Sequence, residues 1–411
     1  MMTTKTMTNL PIKHPLNINS REFTANQYAY YQWLRQEAPV YKGKVSIINA
    51  YLLSRYEDCV WALKDPRFVR NRTTATGESR MPFPMPKSVA FLAQSMIVED
   101  EPAHRRLRNL VHKAFTPRAL AQMEERIERL THELLDKAEQ QGGVDLMSTY
   151  ALPIPVTVIS EMVGVADADM PKFRNSMQVL TKGFSGWTLF RTFFWDMPSM
   201  VRFVRDIIAR KRADPQDDIL TALIHAEEEG EQLSEDELIS MVFLLIIAGY
   251  ETTVHLITNS VVTLLQHPAQ LAHLRAQLAL MESAVEEVLR YNGPVQGTKP
   301  GYAMEDITLH GVTIPRGAAV MPLLGAANHD PAVFANPEVF DIARTPNKHL
   351  GFGQGIHYCL GAPLARMETR IALKNLLDRN PNLRLAVRPE ELRLQNVPLW
   401  RRYERLPIVL G

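Results

Sequence analysis

The sequence predicts a mainly helical fold with a small β region, and three observations carry that expectation. Most of the 411 residues lie in stretches whose apolar positions recur at helical spacing and which open on capping residues. Strand character is confined to short runs: Ala50 to Ser54, the residues just after the Pro294 turn, and Gly311 to Val320, where GVTIPRG has hairpin character. With 46% apolar and 22% charged residues the chain can bury a large core. No Gly/Ser tract, Pro-rich spacer, repeat or charge block marks a boundary, so residues 1–411 are read as a single domain.

Charge narrows the function classes. A net charge of +1, from 46 basic and 45 acidic residues, gives no electrostatic reason to expect nucleic acid or an anionic membrane as the main partner. Residues 1–24 hold no apolar run long enough for a signal peptide or membrane anchor, and the expected location is the cytoplasm.

Along the chain, SRYEDCVWAL reads as the start of an amphipathic helix in which Cys59 serves packing. The segment His104-Arg-Arg-Leu-Arg108 puts His104 and Arg108 at i and i+4, on one helix face. The longest helix starts at Ser234, whose hydroxyl can cap it while Glu237 completes a capping box, and it stops before Pro268. Its apolar middle, Met241 to Gly249, is too short to span a bilayer, so the helix is expected to run buried through the core.

Within that helix stands Ala248-Gly-Tyr-Glu251-Thr252-Thr253, where a carboxylate and hydroxyls are costly unless hydrogen bonded. One reading has Thr252 bonding back to the Ala248 carbonyl and Glu251 meeting a basic partner, which bends the helix and does no more. The other has Gly249 admitting a ligand to the backbone, with the alcohol and the acid forming a proton relay beside it. Further on, Glu287-Val-Leu-Arg290 is either a surface pair or, given the apolar residues on the same turns, a buried clamp joined by Arg344 from FDIAR.

Cys359 lies in GFGQGIHYCLG, before a stretch with helical period, so it falls at a helix N-terminus, where the dipole and free N–H groups favour a thiolate. Such a thiolate is a nucleophile or a metal ligand. Zinc and iron–sulfur sites need more thiols than the one other cysteine supplies. A cysteine hydrolase needs a base, and His357, two residues away, tends to point to the other side. One thiolate can instead serve as the sole protein ligand of a haem iron, a planar group whose close approach Gly353 and Gly355 allow. Its carboxylates would want cations such as His104, Arg108 and His357, each of which alone is an ordinary surface charge.

Taken in order, LSRYEDCVWALKDPRF, EPAHRRLRNLVHKAFTPR, AGYETT, EEVLR, AANHDPAVFANPEVFDIAR and FGQGIHYCLG resemble the cytochrome P-450 superfamily of haem-thiolate monooxygenases, in its soluble bacterial form. The resemblance covers nearly the whole chain. It implies a triangular helical domain with haem b between the long central helix and the cysteine loop. Cys359 matches the axial ligand, Phe352 the aromatic residue beside it, and His104, Arg108 and His357 the propionate partners; Ala248, Gly249 and Gly353 fall against the cofactor. Glu251 and Thr252 match the acid and alcohol of oxygen activation, and Glu287, Arg290 and Arg344 the structural triad. One position departs from the pattern: the family's usual propionate-binding arginine falls on Gly301, and Lys299 is the candidate substitute.

The implied reaction is insertion of one oxygen atom of O2 into a C–H bond of a hydrophobic small molecule, such as a polyketide, macrolide, steroid, terpenoid or fatty acid. Electrons would come from NAD(P)H through a separate ferredoxin and ferredoxin reductase, or a flavodoxin-type donor. Arg366, Arg370 and Lys374 form either a basic docking face for that donor or an ordinary solvated helix face. Leu244, Ala248 and Val295 are candidate pocket residues, with Pro82 to Met96 and the aromatic Gly183 to Met200 as further walls or as helix packing. A peroxide-driven haem enzyme would not need the acid and alcohol, nor would a haem sensor or carrier.

Overall fold

The computed structural model describes residues 16–78, 95–114, 117–141, 143–166, 169, 195–228 and 230–411. Its axis is the helix that the capping box announces, here α8 (Glu235–Gln266). Ser234 Oγ accepts from the Glu237 N–H at 3.3 Å and the Glu237 carboxylate accepts from the Ser234 N–H at 2.8 Å. Both bonds satisfy donors that the first helical turn leaves free. The 32 residues span about 48 Å and end where Pro268 starts the next helix. This helix is long and apolar enough to cross a bilayer, yet most of its apolar window is buried inside the protein. It is a core helix.

The other helices that matter for the site are α1 (Gln27–Glu37), α2 (Tyr56–Lys64), α3 (Ala103–Ala114), α4 (Pro117–Glu139), α5 (Pro153–Val163), α6 (Met197–Ala213), α7 (Ile219–His225), α9 (Met281–Asn292) and α10 (Ala362–Arg379). Helices α5, α9 and α10 pack directly on α8. The main apolar cluster runs through all four, from Ile154 and Ile159 through Phe243 and Ile257 to Val288 and Leu376. Cys59 is buried on α2, as its packing role requires.

A five-stranded sheet flanks the helices in the order β1 (Val40–Val45), β2 (Ile48–Leu53), β8 (Ala319–Pro322), β5 (Gly301–Ala303), β3 (Phe68–Val69). Only the β2–β8 pair is parallel. Strand β3 pairs with β5 so that Phe68 opposes Ala303 and Val69 opposes Tyr302. The residues after Pro294 form no strand: Val295 makes one isolated bridge to Trp400. The hairpin is β6 (Ile307–Leu309) with β7 (Val312–Ile314), turning at His310 and Gly311. GVTIPRG therefore supplies the turn glycine and second strand of that hairpin, then the link to β8. A three-stranded sheet joins β9 (Arg384–Leu385), β10 (Pro407–Val409) and β4 (Gly143–Asp145).

Candidate functional site

Between Leu238 and Leu264 every residue of α8 is buried except Leu244, Ile247, Ala248, Gly249, Glu251 and Thr252. Positions 244, 248 and 252 repeat every four residues, so the unburied set is one face. Ala248 is exposed in the middle of a core helix, which means that a hollow lies against this face. Gly249 does not serve that hollow in the expected way. A Cβ on Gly249 would sit 3.3 Å from Ile159 Cδ1, so the missing side chain lets α5 close on α8. Ala248, one residue earlier, gives the opening its room.

Thr252 Oγ1 donates to the Ala248 carbonyl at 3.0 Å, and Thr253 Oγ1 to that of Gly249 at 3.3 Å. Paired back-bonds of this kind bend a helix. Glu251 accepts from Arg402 Nη1, a partner 151 residues away that the sequence did not disclose. One turn further, His255 is buried with Nδ1 unpartnered; burial, helped by Arg402, lowers its pKa to about 3 and keeps the ring neutral. The acid on the open face is thus backed by a guanidinium, with a buried neutral imidazole one turn further on.

The second component is the loop from Leu350 to Gly361. Leu350 N–H donates to Asn328 Oδ1 at 2.7 Å, Gly353 N–H to the Leu350 carbonyl at 2.8 Å and Cys359 N–H to the Phe352 carbonyl at 3.0 Å. Gly353 has φ +70° and open space where a Cβ would stand, so a ligand can approach its backbone. Gly355, at φ +75°, instead lies tight against the Leu63 carbonyl of α2 and locks the loop to that helix.

Cys359 precedes α10 by three residues, and the N–H groups of Gly361 and Ala362 are directed at its sulfur. Burial nevertheless dominates and pushes the thiol up, against the backbone donors, Arg108 and Arg366, which favour the thiolate. The helix end alone does not make this thiol an anion, contrary to the expectation from its position. A metal cation bound at the sulfur offsets the cost of the charge. His357 sits in a 3-10 turn and its ring stands edge-on to His104, centroids 4.3 Å apart. The hydrolase pairing of His357 with Cys359 finds no support in that arrangement.

Bases gather beside the loop. Arg108 Nη2 donates to the Tyr358 carbonyl at 2.9 Å, His104 is buried on the same face of α3, and His357 Nε2 is buried without a partner. Glu101 lies 3.9 Å from His104 Nδ1. Burial, then Arg70, His104 and Arg108, lower the His357 pKa to about 3. Arg70, at the exit of β3, was not foreseen from the sequence. Lys299 has exposed surface, yet protein encloses it closely enough that burial and Arg70 together lower its pKa.

Phe352 is half-buried beside the loop, with the Arg366 guanidinium 4.5 Å over its ring. That cation is not free for docking: it is held by Glu286 at 2.6 and 2.9 Å. Arg370 pairs with Glu124 and Lys374 with Glu128, so the three cations on α10 present no unneutralised face. The clamp forms as expected. Glu287, fully buried, accepts from Arg290 at 2.8 and 2.8 Å and from Arg344 Nε at 3.1 and 3.1 Å.

Of the candidate pocket residues, Leu244 and Ala248 share the open face, and Val295 is half-buried at its bridge to Trp400. The stretch Pro82 to Ala93, Gln94, and the aromatics Phe184, Trp187, Phe190, Phe193 and Phe194 lie outside the described residues. Trp195 is 60% exposed.

These features fit a haem: one sulfur ahead of a helix, glycine backbone open to a flat ligand, a cluster of bases with an orphaned imidazole nitrogen for its carboxylates, and a hollow over Ala248. The cytochrome P-450 family model matches residues 9–380. The chain is 38% identical over 410 residues to the polyketide biosynthesis cytochrome P-450 PksS of Bacillus subtilis, covering 97% of this chain and 98% of that one. The solved structure of CYP109E1 from Bacillus megaterium in complex with testosterone is similar at a TM-score of 0.82 and 33% identity, over 94% of this chain and 99% of that one. That of BioI in complex with a hexadec-9Z-enoic acid ligated acyl carrier protein gives a TM-score of 0.85 and 38% identity, over 96% and 100%. With the fold, the cysteine loop and these likenesses in agreement, the chain belongs to the cytochrome P-450 family and is a haem-dependent monooxygenase of hydrophobic molecules.

Proposed function

We propose that Cys359 is the axial thiolate of a haem b and that the chain hydroxylates a lipophilic polyketide, steroid or fatty-acyl compound held over Ala248. The observation that carries this reading is the opening of a core helix along Leu244, Ala248 and Thr252, with Glu251 on the next turn. An exposed alanine there has no packing purpose, and it leaves room for a small reactant beside an acid and an alcohol.

When bound, the haem supplies reductive cleavage of dioxygen, which electron donation from a thiolate favours. The chain's own residues position and protonate. His104, Arg108 and His357 meet the carboxylates, and the N–H groups of Gly361 and Ala362 share the charge on the sulfur. Thr252 Oγ1 carries a proton into the hollow, and Glu251 replenishes it by turning from Arg402 toward the opening. Protons delivered this way would let one oxygen of O2 leave as water at a bound haem. Apolar Leu244 and Val295 select by shape.

Electrons come from NAD(P)H through a separate ferredoxin and its reductase, or a flavodoxin-type donor, in the cytoplasm. Since the α10 cations are paired, the donor's contact surface lies elsewhere or must break those pairs. The polyketide, testosterone and fatty-acyl contexts named for the relatives make these three substrate classes the first to screen.

The test is a carbon monoxide difference spectrum of the dithionite-reduced protein, followed by spin-state titrations with a macrolide, a steroid and a long-chain fatty acid. The strongly red-shifted Soret band of thiolate-ligated haem, lost in Cys359→Ala, is expected. A histidine-type band in the native protein, or no haem after expression with adequate haem supply, would overturn the assignment. Turnover with peroxide but none with O2 and a reductase would reassign it as a peroxygenase.

A further inference from the structure

We propose that Arg70 supplies the haem-carboxylate contact that Gly301 leaves vacant, delivering the cation from the neighbouring strand. The proposal rests on the haem reading above and concerns one of its carboxylates.

Strands β3 and β5 are paired, with Val69 opposite Tyr302. A Cβ on Gly301 would meet Phe68 Cβ at 3.3 Å and the Val69 carbonyl at 3.9 Å. The side chain that position 301 lacks would therefore start against the residues that lead directly into Arg70. A cation lost from one strand can be replaced from the adjacent one with little change in where the charge sits.

The placement of Arg70 is built, not incidental. Asp100 accepts the backbone N–H of Arg70 at 2.6 Å and that of Asn71 at 2.9 Å. Its own carbonyl accepts from the His104 N–H at 2.8 Å. One aspartate thus ties the exit of β3 to the start of α3, and so holds Arg70 in register with His104 and, through it, with His357. Arg70 Nη1 donates to the Lys299 carbonyl. This fixes the guanidinium across the β5 approach.

What the guanidinium lacks is an anion. Among the described residues no salt bridge to it is formed: the nearby Asp100 carboxylate, whose charge it feels, is turned to the backbone N–H groups of Arg70 and Asn71. The side chain is half-buried, and burial, opposed by the Asp100 charge, lowers its pKa to about 10. A half-buried arginine with no ion-pair partner, whose charge reaches His357 where that ring meets His104, is a poor arrangement for a chain alone and a good one for a ligand carboxylate. Lys299 is the weaker candidate: its ammonium ends a flexible stem with exposed surface, and Arg70 already occupies the space its backbone borders.

The experiment compares Arg70→Leu, Arg70→Gln and Lys299→Ala in the holoprotein, reading the rate of haem transfer to excess apomyoglobin and the reduction potential. The thiolate-type carbon monoxide band and far-ultraviolet circular dichroism confirm that each variant is folded and ligated. Loss of a charge-assisted contact at Arg70 should speed haem transfer about 10- to 100-fold. It should also lower the potential, because a cation that favours the reduced haem has gone. Arg70→Lys should recover part of both. Native-like transfer and potential in the two Arg70 variants would overturn the proposal, and if Lys299→Ala showed the loss instead the contact would pass to Lys299. Absence of haem from the native protein is a different result, which defeats the family-level reading and not this one.

Discussion

Replacing Glu287 by Gln keeps its shape and removes its charge, which makes it a clean probe of how the cysteine loop is held. The carboxylate accepts six hydrogen bonds: two from Arg290, two from Arg344, and one each from Asn347 Nδ2 and the Asp341 N–H. Arg290 is wholly buried and Arg344 nearly so, so both guanidiniums would remain in the core without their counter-ion. Breaking a buried pair from one side costs about 3–5 kcal/mol. Unfolding entropy of about 2.1 cal/mol/K per residue amounts to about 0.9 kcal/mol/K over 411 residues, so the apparent Tm should drop by about 3–6 °C at a fixed scan rate. A functional effect should accompany it. Arg290 also donates to the Asn328 carbonyl at 3.0 Å, and Asn328 Oδ1 holds the Leu350 N–H at the start of the loop. The variant should therefore lose part of its thiolate-type carbon monoxide band at temperatures where it is still folded. Glu282→Gln, exposed on the same helix, is the control and should shift Tm by less than about 1 °C. Equal Tm values for Glu287→Gln and the control, with the band intact, would refute the reasoning.

Three further outcomes are expected. Thr252→Ala should retain haem but yield at least ~10-fold less product per electron consumed, with peroxide rising in proportion; unchanged coupling would remove Thr252 from proton delivery. Ala248→Phe should fill the hollow on α8 and abolish substrate-induced spin-state shifts while leaving thermal stability within about 1 kcal/mol, because the position is exposed; retained titration would place the substrate elsewhere. Glu368 on α10 is buried with Oε2 unpartnered, and burial raises its pKa well above 4.5. Its folded form holds a proton that the unfolded chain releases, so its contribution is full below about pH 4.5 and falls by about 1.4 kcal/mol per pH unit as pH rises toward the folded pKa. Glu368→Gln should thus stabilise the protein more at pH 8 than at pH 5 in thermal melts, and an equal gain at both would mean that the carboxyl is ionised in the fold.

What the sequence disclosed was local. The capping box of α8 needs only Ser234 and Glu237, and the Glu287–Arg290 pair needs only three residues' spacing, so both were legible. The cysteine loop was legible because its glycines and thiol are contiguous. Most of the failures at the site are long-range. Arg402 reaches Glu251 across 151 residues, and RRYER carries no mark of a buried partner. Which face of α8 opens turns on packing by α5, so Gly249, expected to admit a ligand, serves that packing, while Ala248 stands on the open face as its pocket reading required. The cations of α10 looked free because Glu124, Glu128 and Glu286, which neutralise them, lie on α4 and α9. Nothing in the sequence singles out Arg70; only the pairing of β3 with β5 carries it toward Gly301.

The stitching of α8 to the segment around Arg401 and Arg402 has a consequence for how the protein is made. Asn259 donates to the Arg401 carbonyl, Arg401 Nε reaches Asn292 Oδ1, and Arg402 holds Glu251. On a ribosome adding about 5–20 residues per second, residue 402 is joined about 8–30 s after residue 251. Through that interval the acid in the centre of the core helix has no guanidinium, and the bonds that tie the 401–402 segment to Asn259 and Asn292 are not made. Haem capture by a nascent chain before that moment would meet a half-built pocket, so loading should follow synthesis of the Arg401–Arg402 segment.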